Sequence, residues 1–167
     1  MKIAFVTDSG TGKSVGELAQ AEIYSVPLQV SCDNKNYQDL EELGIDEIYD
    51  LMKDGKMLST SLPSLGKIEE LFQSLKQQGY DMIFAVPICS GLSGTINAME
   101  MIAQQHGIAF DYVDCHVTAV VQEYMIKLAK QLHEAGKSIE QIKEVLQRIV
   151  HTTNPCLLYT SDAADDL

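Results

Sequence analysis

The sequence predicts an α/β fold with a parallel sheet in a three-layer, Rossmann-like arrangement, and three observations carry that prediction. Short apolar runs alternate with segments of helical period from Lys2 to about Val150 of the 167 residues. One run, Met82 to Val86 (MIFAV), is unbroken, which suits a strand buried on both faces of a parallel sheet. Two S-x-x-E/Q capping boxes, Ser14 with Glu17 and Ser138 with Gln141, mark helix starts. Strands separated by helices close into a parallel sheet with helices on both faces.

Taken in order, Lys2 to Thr7 (KIAFVT) is a first strand, followed by a Gly-rich turn, Asp8 to Lys13. Ser14 opens a short helix to about Ala21. Ile23 to Val30 (IYSVPLQV) reads as one extended segment, with Pro27 placing it near an edge or bulge. Asp33 to Gln38 reads as a turn or small hairpin. Ile45, Ile48, Tyr49 and Met52 share a helical face over Ile45 to Lys53, and the helix closes at Gly55. Lys56 to Ser64 (KMLSTSLPS) is a polar loop. Ile68, Leu71, Phe72 and Leu75 mark a helix ending at Gly79, ahead of the Met82 to Val86 strand. The next helix carries Ile96, Met99, Ile102 and Ala103 on one face, with Gly107 as its C-terminal cap. Ala109 to Val113 is another strand, Val117 to Ala135 a long helix, and Ile139, Ile142, Val145, Leu146 and Ile149 the apolar face of the last one.

In such a sheet, ligands bind outside the carboxyl ends of the strands, where Asp8, Ser90 to Thr95 and Asp114 fall. The small, hydroxyl-rich loop Ser90-Gly91-Leu92-Ser93-Gly94-Thr95 leads into a helix whose first N–H groups and dipole attract an anion. Ser93 and Thr95 could add hydroxyl donors; read alone, the loop favours Ser93 as only an N-cap.

Composition narrows the function. The net charge of −12 supplies no basic patch for nucleic acid or an anionic membrane surface. No apolar run is long enough for a span or a secretory signal, which predicts a soluble cytoplasmic protein. Cys32, Cys89, Cys115 and Cys156 form no CxxC pair and stand without histidines at ligand spacing, so they read as reduced thiols, with no metal site or disulfide framework. Cys89, beside the loop, is the one thiol with a nucleophile reading, and no base is near it in sequence.

Three separated stretches, Thr7-Asp8-Ser9, Thr60-Ser61-Leu62-Pro63-Ser64 and Ser90 to Thr95, resemble in order and spacing the DegV family of bacterial fatty-acid-binding proteins. Val26-Pro27-Leu28 and Val113-Asp114 also fit, and the resemblance covers Met1 to about Val150. It implies a two-lobed protein that holds one fatty acid between its lobes, uses no cofactor and does no covalent chemistry. The carboxylate falls to Thr60 and Ser93, with Ser61, Gly94, Thr95, Asp8 and Ser90 in support. The implied partner is a fatty-acid kinase that makes the acyl phosphate for phospholipid synthesis, with only transient membrane contact.

Energetics divide the labour: a helix-dipole contact contributes about 0.3–1 kcal/mol, against about 0.8 kcal/mol for each buried methylene. Affinity should come from an apolar tunnel, with Ile3, Phe5, Leu28, Phe84, Ile88 and Leu92 as candidate walls, and orientation from Thr60 and Ser93.

The sequence departs from the family pattern in several places. Asp8-Ser9-Gly10-Thr11-Gly12 stands where members commonly have TDSTAD, and Cys89 replaces a common serine. After Asp114, Cys115 to Glu123 replaces a small, Gly-containing helix opening, and His116 there reads as a surface residue. The second lobe's basic, Gly-Gly-Arg-containing segment is missing. Cys156 to Asp166 (CLLYTSDAADD) can be written in codons that spell a transposase adapter used in sequencing libraries. Residues 1–155 are therefore expected to be an N-terminal lobe and 156–167 a non-native tail. The tail's Asp162, Asp165 and Asp166 leave −9 on the remainder. Such a fragment should bind fatty acid weakly and expose the apolar surface that faces the second lobe.

Two alternatives belong to other classes. Ser9 to Ser14 (SGTGKS) resembles the end of a phosphate loop, but Thr7 occupies the position of its first glycine, and a nucleotide site there would depend on Lys13. A serine acyl hydrolase would use Ser93, Ser90 or Cys89 with His116 as base, but the loop lacks the G-x-S-x-G pattern.

Overall fold

The computed structural model describes residues 1–153, so Cys156 and the expected tail lie outside the described residues. In chain order the elements are β1 (Ile3–Asp8), α1 (Val15–Ala19), β2 (Tyr24–Val26), β3 (Gln29–Cys32), β4 (Lys35–Gln38), α2 (Ile45–Lys53) and β5 (Leu58–Ser61). There follow α3 (Leu65–Gln77), β6 (Met82–Ala85), α4 (Thr95–His106), β7 (Ala109–Tyr112), α5 (Ala119–Glu134) and α6 (Ile139–Thr152). Strands β2-β1-β6-β7 form one sheet, parallel at every pairing, and Phe5 lies opposite Phe84 at its centre.

Alternation along the strands explains the three layers. Ile3, Phe5, Phe84 and Val86 point to one face, where Met125, Ile126 and Ala129 of α5 and Ile142 and Leu146 of α6 cover them. Ala4, Val6, Ile83 and Ala85 point to the other, against Ile68, Phe72 and Leu75 of α3 and Met99, Ile102 and Ala103 of α4. An unbroken apolar run is what burial on both faces requires. Both capping boxes form as the sequence predicts, on α1 and α6. Gly107 ends α4 with φ +59°, its N–H meeting the carbonyls of Ala103 and Gln104.

Several expectations are corrected. Ile23 to Val30 is two strands in two sheets: at Pro27 the chain leaves β2, an edge of the parallel sheet, and enters β3 of a small antiparallel sheet ordered β4-β3-β5. A proline has no N–H for a ladder, so the break falls there. The polar loop Lys56 to Ser64 contains β5, whose Thr60 pairs with Val30 and Ser61 with Gln29. The Asp33 turn is the β3–β4 hairpin, with Asp33 and Asn34 both at positive φ. The apolar stripe of α2 has the predicted spacing but no residue of that helix is buried; Ile45, Tyr49 and Met52 are each more than half exposed.

Candidate functional site

The sheet's carboxyl end and the small sheet meet at one cavity of about 250 Å³. Thr60 and Ser61 reach it from the end of β5, Ser93 and Gly94 from the loop that opens α4, and Leu28, Leu62, Ile88 and Leu92 supply apolar walls. Thr60 and Ser93, 33 positions apart in sequence, thus share one small space without a charged side chain in its lining. Its volume is below the roughly 300–1,000 Å³ that buries a drug-sized ligand, so it suits the polar end of a longer molecule.

The polar residues around this cavity are held by a dense set of contacts. Ser93 is not the N-cap of α4; Gly94 is, and it offers no side chain to cap the helix. The Ser93 hydroxyl is therefore released from capping and pairs at 2.8 Å with that of Thr95, which is itself fully buried. The turn is closed by the Leu92 and Ser93 N–H groups donating to the Cys89 carbonyl at 3.0 and 3.2 Å. Ser9 joins the two sheets: its hydroxyl donates to Asp39 at 2.6 Å and accepts from the Leu28 N–H at 3.0 Å, which places Leu28 in the wall.

Asp8 does not line the cavity. It is fully buried behind it, accepting from the N–H groups of Ile88 at 2.8 Å and Gly10 at 2.9 Å and from the Gln122 amide at 2.9 Å. Burial raises its carboxyl from the ordinary 3.8 to about 6; the hydrogen bonds from Gln122, Ile88 and Gly10 pull down, and the nearby Asp39 charge pushes up. Ser90 also stands back from the cavity, its N–H and hydroxyl both on the Asp114 carboxylate, which ties the loop to the end of β7.

Of the six proposed tunnel walls, Leu28, Ile88 and Leu92 line the cavity. Ile3, Phe5 and Phe84 do not; they are core residues under α5 and α6, because odd positions of β1 and even positions of β6 face that layer.

The geometry speaks to both alternatives. In the SGTGKS turn the N–H groups that would cradle phosphate are already bonded: Gly10 to Asp8, Gly12 to the Ser9 carbonyl, Lys13 to the Thr11 hydroxyl, Ser14 to Glu17 and Val15 to Glu41. Lys13 itself faces Glu17 at 3.4 Å. At the other loop, Asp114 stands between Ser90 and His116: it accepts from the Ser90 hydroxyl, and His116 Nε2 lies 3.7 Å from the same oxygen. Nucleophilic catalysis needs the imidazole between serine and acid. His116 is exposed, as expected, and sits at φ +55°.

Cys32, Cys89 and Cys115 are free and buried. Burial pushes the Cys115 thiol up to about 12, and its sulfur faces the carbonyls of Pro87 and Val117. No group of three or more potential metal ligands occurs among the described residues. Among them too, no helix is long and apolar enough to cross a membrane.

Sequence reasoning missed Gln122, Ser9 and Leu62. Gln122 carried a signal: it falls on the stripe of α5 shared with Met125, Ile126 and Ala129, and a polar residue on a buried stripe must be bonded to something. The role of Ser9 had no signal, since Leu28 and Asp39 reach it only in the folded chain. A larger cavity of about 680 Å³ lies at the opposite, amino end of the strands; Ile3 and Phe5 touch it, but none of the predicted carboxylate-holding or supporting residues does, and Lys130 in its lining is paired with Glu22 and Glu134.

A family model described as "Uncharacterised protein, DegV family" matches residues 2–167. A DegV domain-containing protein of Listeria monocytogenes is 33% identical over an alignment of 153 residues that covers 89% of this chain and 53% of the relative. The chain is similar to the crystal structure of DegV, a fatty acid binding protein from Bacillus subtilis: TM-score 0.82, 27% identity, 91% of this chain and 55% of that one. It is also similar to a fat acid (stearic acid)-binding protein from Eubacterium ventriosum: TM-score 0.73, 29% identity, 87% of this chain and 52% of that one. The chain thus spans about half the length of the relatives it matches.

Proposed function

The chain belongs to the DegV family, and from that premise we propose that it binds the carboxylate end of a long-chain fatty acid as one lobe, residues 1–155, of a two-lobed binding protein. The observation that carries the reading is one cavity lined by hydroxyls from two separate elements, Thr60 and Ser61 of β5 and Ser93 before α4, with apolar walls beside them. Hydroxyls and the positive end of α4 suit a carboxylate, and Leu28, Leu62, Ile88 and Leu92 suit the first methylenes. A cavity of about 250 Å³ holds the head of such a ligand and leaves most of the acyl chain for a second wall. The similar structures described as fatty-acid-binding support the ligand class.

In this reading the protein does no covalent chemistry. It presents the bound acid, in the cytoplasm, to a fatty-acid kinase that forms the acyl phosphate for phospholipid synthesis, a role the family resemblance supports.

Native mass spectrometry of the purified chain, with and without added laurate, tests the ligand. Removing two hydroxyls that donate to a charged group, Thr60→Ala with Ser93→Ala, should weaken laurate by about tenfold or more, and Ser93→Ala should also lower the thermal midpoint by a few degrees, because the buried Thr95 hydroxyl loses its partner. Equal laurate affinity in the double variant would refute these two residues as the carboxylate site.

A further inference from the structure

We propose that Gln122 is a positioning residue for this site: through the Asp8 carboxylate it holds the Ile88 N–H, and with it the cavity wall and the loop that carries Ser93. The proposal rests on the acyl-carboxylate reading for its purpose, though its linkage is a property of the chain alone.

Gln122 lies in the first turn of α5 and is fully buried. Its Nε2 donates to Thr7 Oγ1 at 3.0 Å and Asp8 Oδ1 at 2.9 Å. Thr7 Oγ1 in turn donates to the Val86 carbonyl at 2.7 Å. The other carboxylate oxygen, Asp8 Oδ2, accepts from the Ile88 N–H at 2.8 Å, and Ile88 is a wall of the cavity. One glutamine thereby connects α5, the end of β1 and the segment after β6.

The amide's own oxygen argues that its donors are what this position uses. Gln122 Oε1 is buried and has no hydrogen-bond partner among the described residues. A residue needed only to fill space beside Met125, Ile126 and Ala129 would be apolar and avoid that orphaned acceptor. The same helix end clasps the turn from its other side, with the Thr118 hydroxyl donating to the Gly10 carbonyl at 2.7 Å. The fit is close enough that Gly10 has no room for a Cβ: it would meet Asp8 Oδ1 at 2.8 Å and Gln122 Oε1 at 2.9 Å.

The titratable groups around Asp8 are few. Asp39, from the segment after β4, adds negative charge; Cys115, from the segment before α5, is held protonated by burial; Asp114 and His116, on that same segment, face Ser90 and solvent.

The test is a ¹⁵N NMR titration of the 167-residue chain from about pH 8 to about pH 5, in a His116→Asn background that removes the imidazole of that segment. The Ile88 and Gly10 amides and the Gln122 side-chain amide should titrate together with a midpoint of about 6. In Gln122→Met the Ile88 and Gly10 midpoint should rise, because a donor to the charged form is gone. A purely space-filling glutamine would leave that midpoint where it was, and such a result overturns the proposal. Should Gln122→Met not fold, the untouched protein still decides: a Gln122 side-chain amide that fails to follow the Ile88 midpoint overturns it as well.

Laurate affinity at about pH 7.5 separates the linkage from the reading it serves. Gln122→Met should bind laurate about three- to tenfold more weakly than the parent, and equal affinity counts against positioning. No laurate uptake by the parent protein would instead refute the acyl reading, with the amide titration deciding the linkage by itself.

Discussion

Replacing Gly10 by alanine probes the most crowded glycine among the described residues. The added Cβ would lie 2.8 Å from Asp8 Oδ1, 2.9 Å from Gln122 Oε1 and 3.0 Å from Ile88 Cβ. Neither Asp8 nor Gln122 can withdraw cheaply, since both are fully buried and bonded to each other at 2.9 Å. Overpacking costs about 1–3 kcal/mol, a broken hydrogen bond to a charged group about 1.5–3 kcal/mol, and alanine returns about 0.4–1 kcal/mol by stiffening the unfolded chain. The net destabilisation is about 2–5 kcal/mol, or roughly 4–20 °C in the thermal midpoint of a chain this long. Gly12→Ala is the internal control: its φ is +74° with open space around it, so only the backbone penalty of about 1 kcal/mol applies. Urea denaturation followed by circular dichroism ranks the two, and hydrogen exchange at the Ile88 N–H locates the damage. If Gly10→Ala is no worse than Gly12→Ala, or leaves Ile88 exchange unchanged, the close packing of Asp8, Gln122 and the turn is refuted.

Two further outcomes follow from the same region. Asp8 is an acid whose folded value, about 6, lies above its ordinary 3.8, so between those values the native state binds the extra proton and rising pH costs stability. The difference amounts to roughly 3 kcal/mol; relative to a non-titrating Asp8→Asn variant, the parent should lose about that much from pH 4 to above pH 6, and parallel stability curves would refute the assignment. His116 occupies φ +55°, where a Cβ is strained, so His116→Gly should raise stability by up to about 1 kcal/mol; a drop in the urea midpoint would show that its contact with Asp114 matters more.

Much of this protein is legible in the order of its residues. The unbroken apolar runs Ile3 to Val6 and Ile83 to Val86, the stripes of α3 to α6 and the two capping boxes are local patterns. They determine the element types and the parallel α/β class, because a strand apolar on both faces needs helices on both. That Thr60 and Ser93 belong to one site was implied only by the resemblance of their motifs to the DegV family; neither loop by itself points to the other. What tertiary structure alone decided lies between elements distant in sequence. It split the Ile23 to Val30 segment at Pro27 between two sheets, and turned part of a polar loop into β5 so that Thr60 faces Ser93 across a cavity. It left Ile45, Tyr49 and Met52 facing outward although their spacing promised burial, since amphipathic period says which face is apolar and not what covers it. It also set Gln122 against Asp8, 114 positions away, because a buried carboxylate takes its donors from whatever the fold packs beside it.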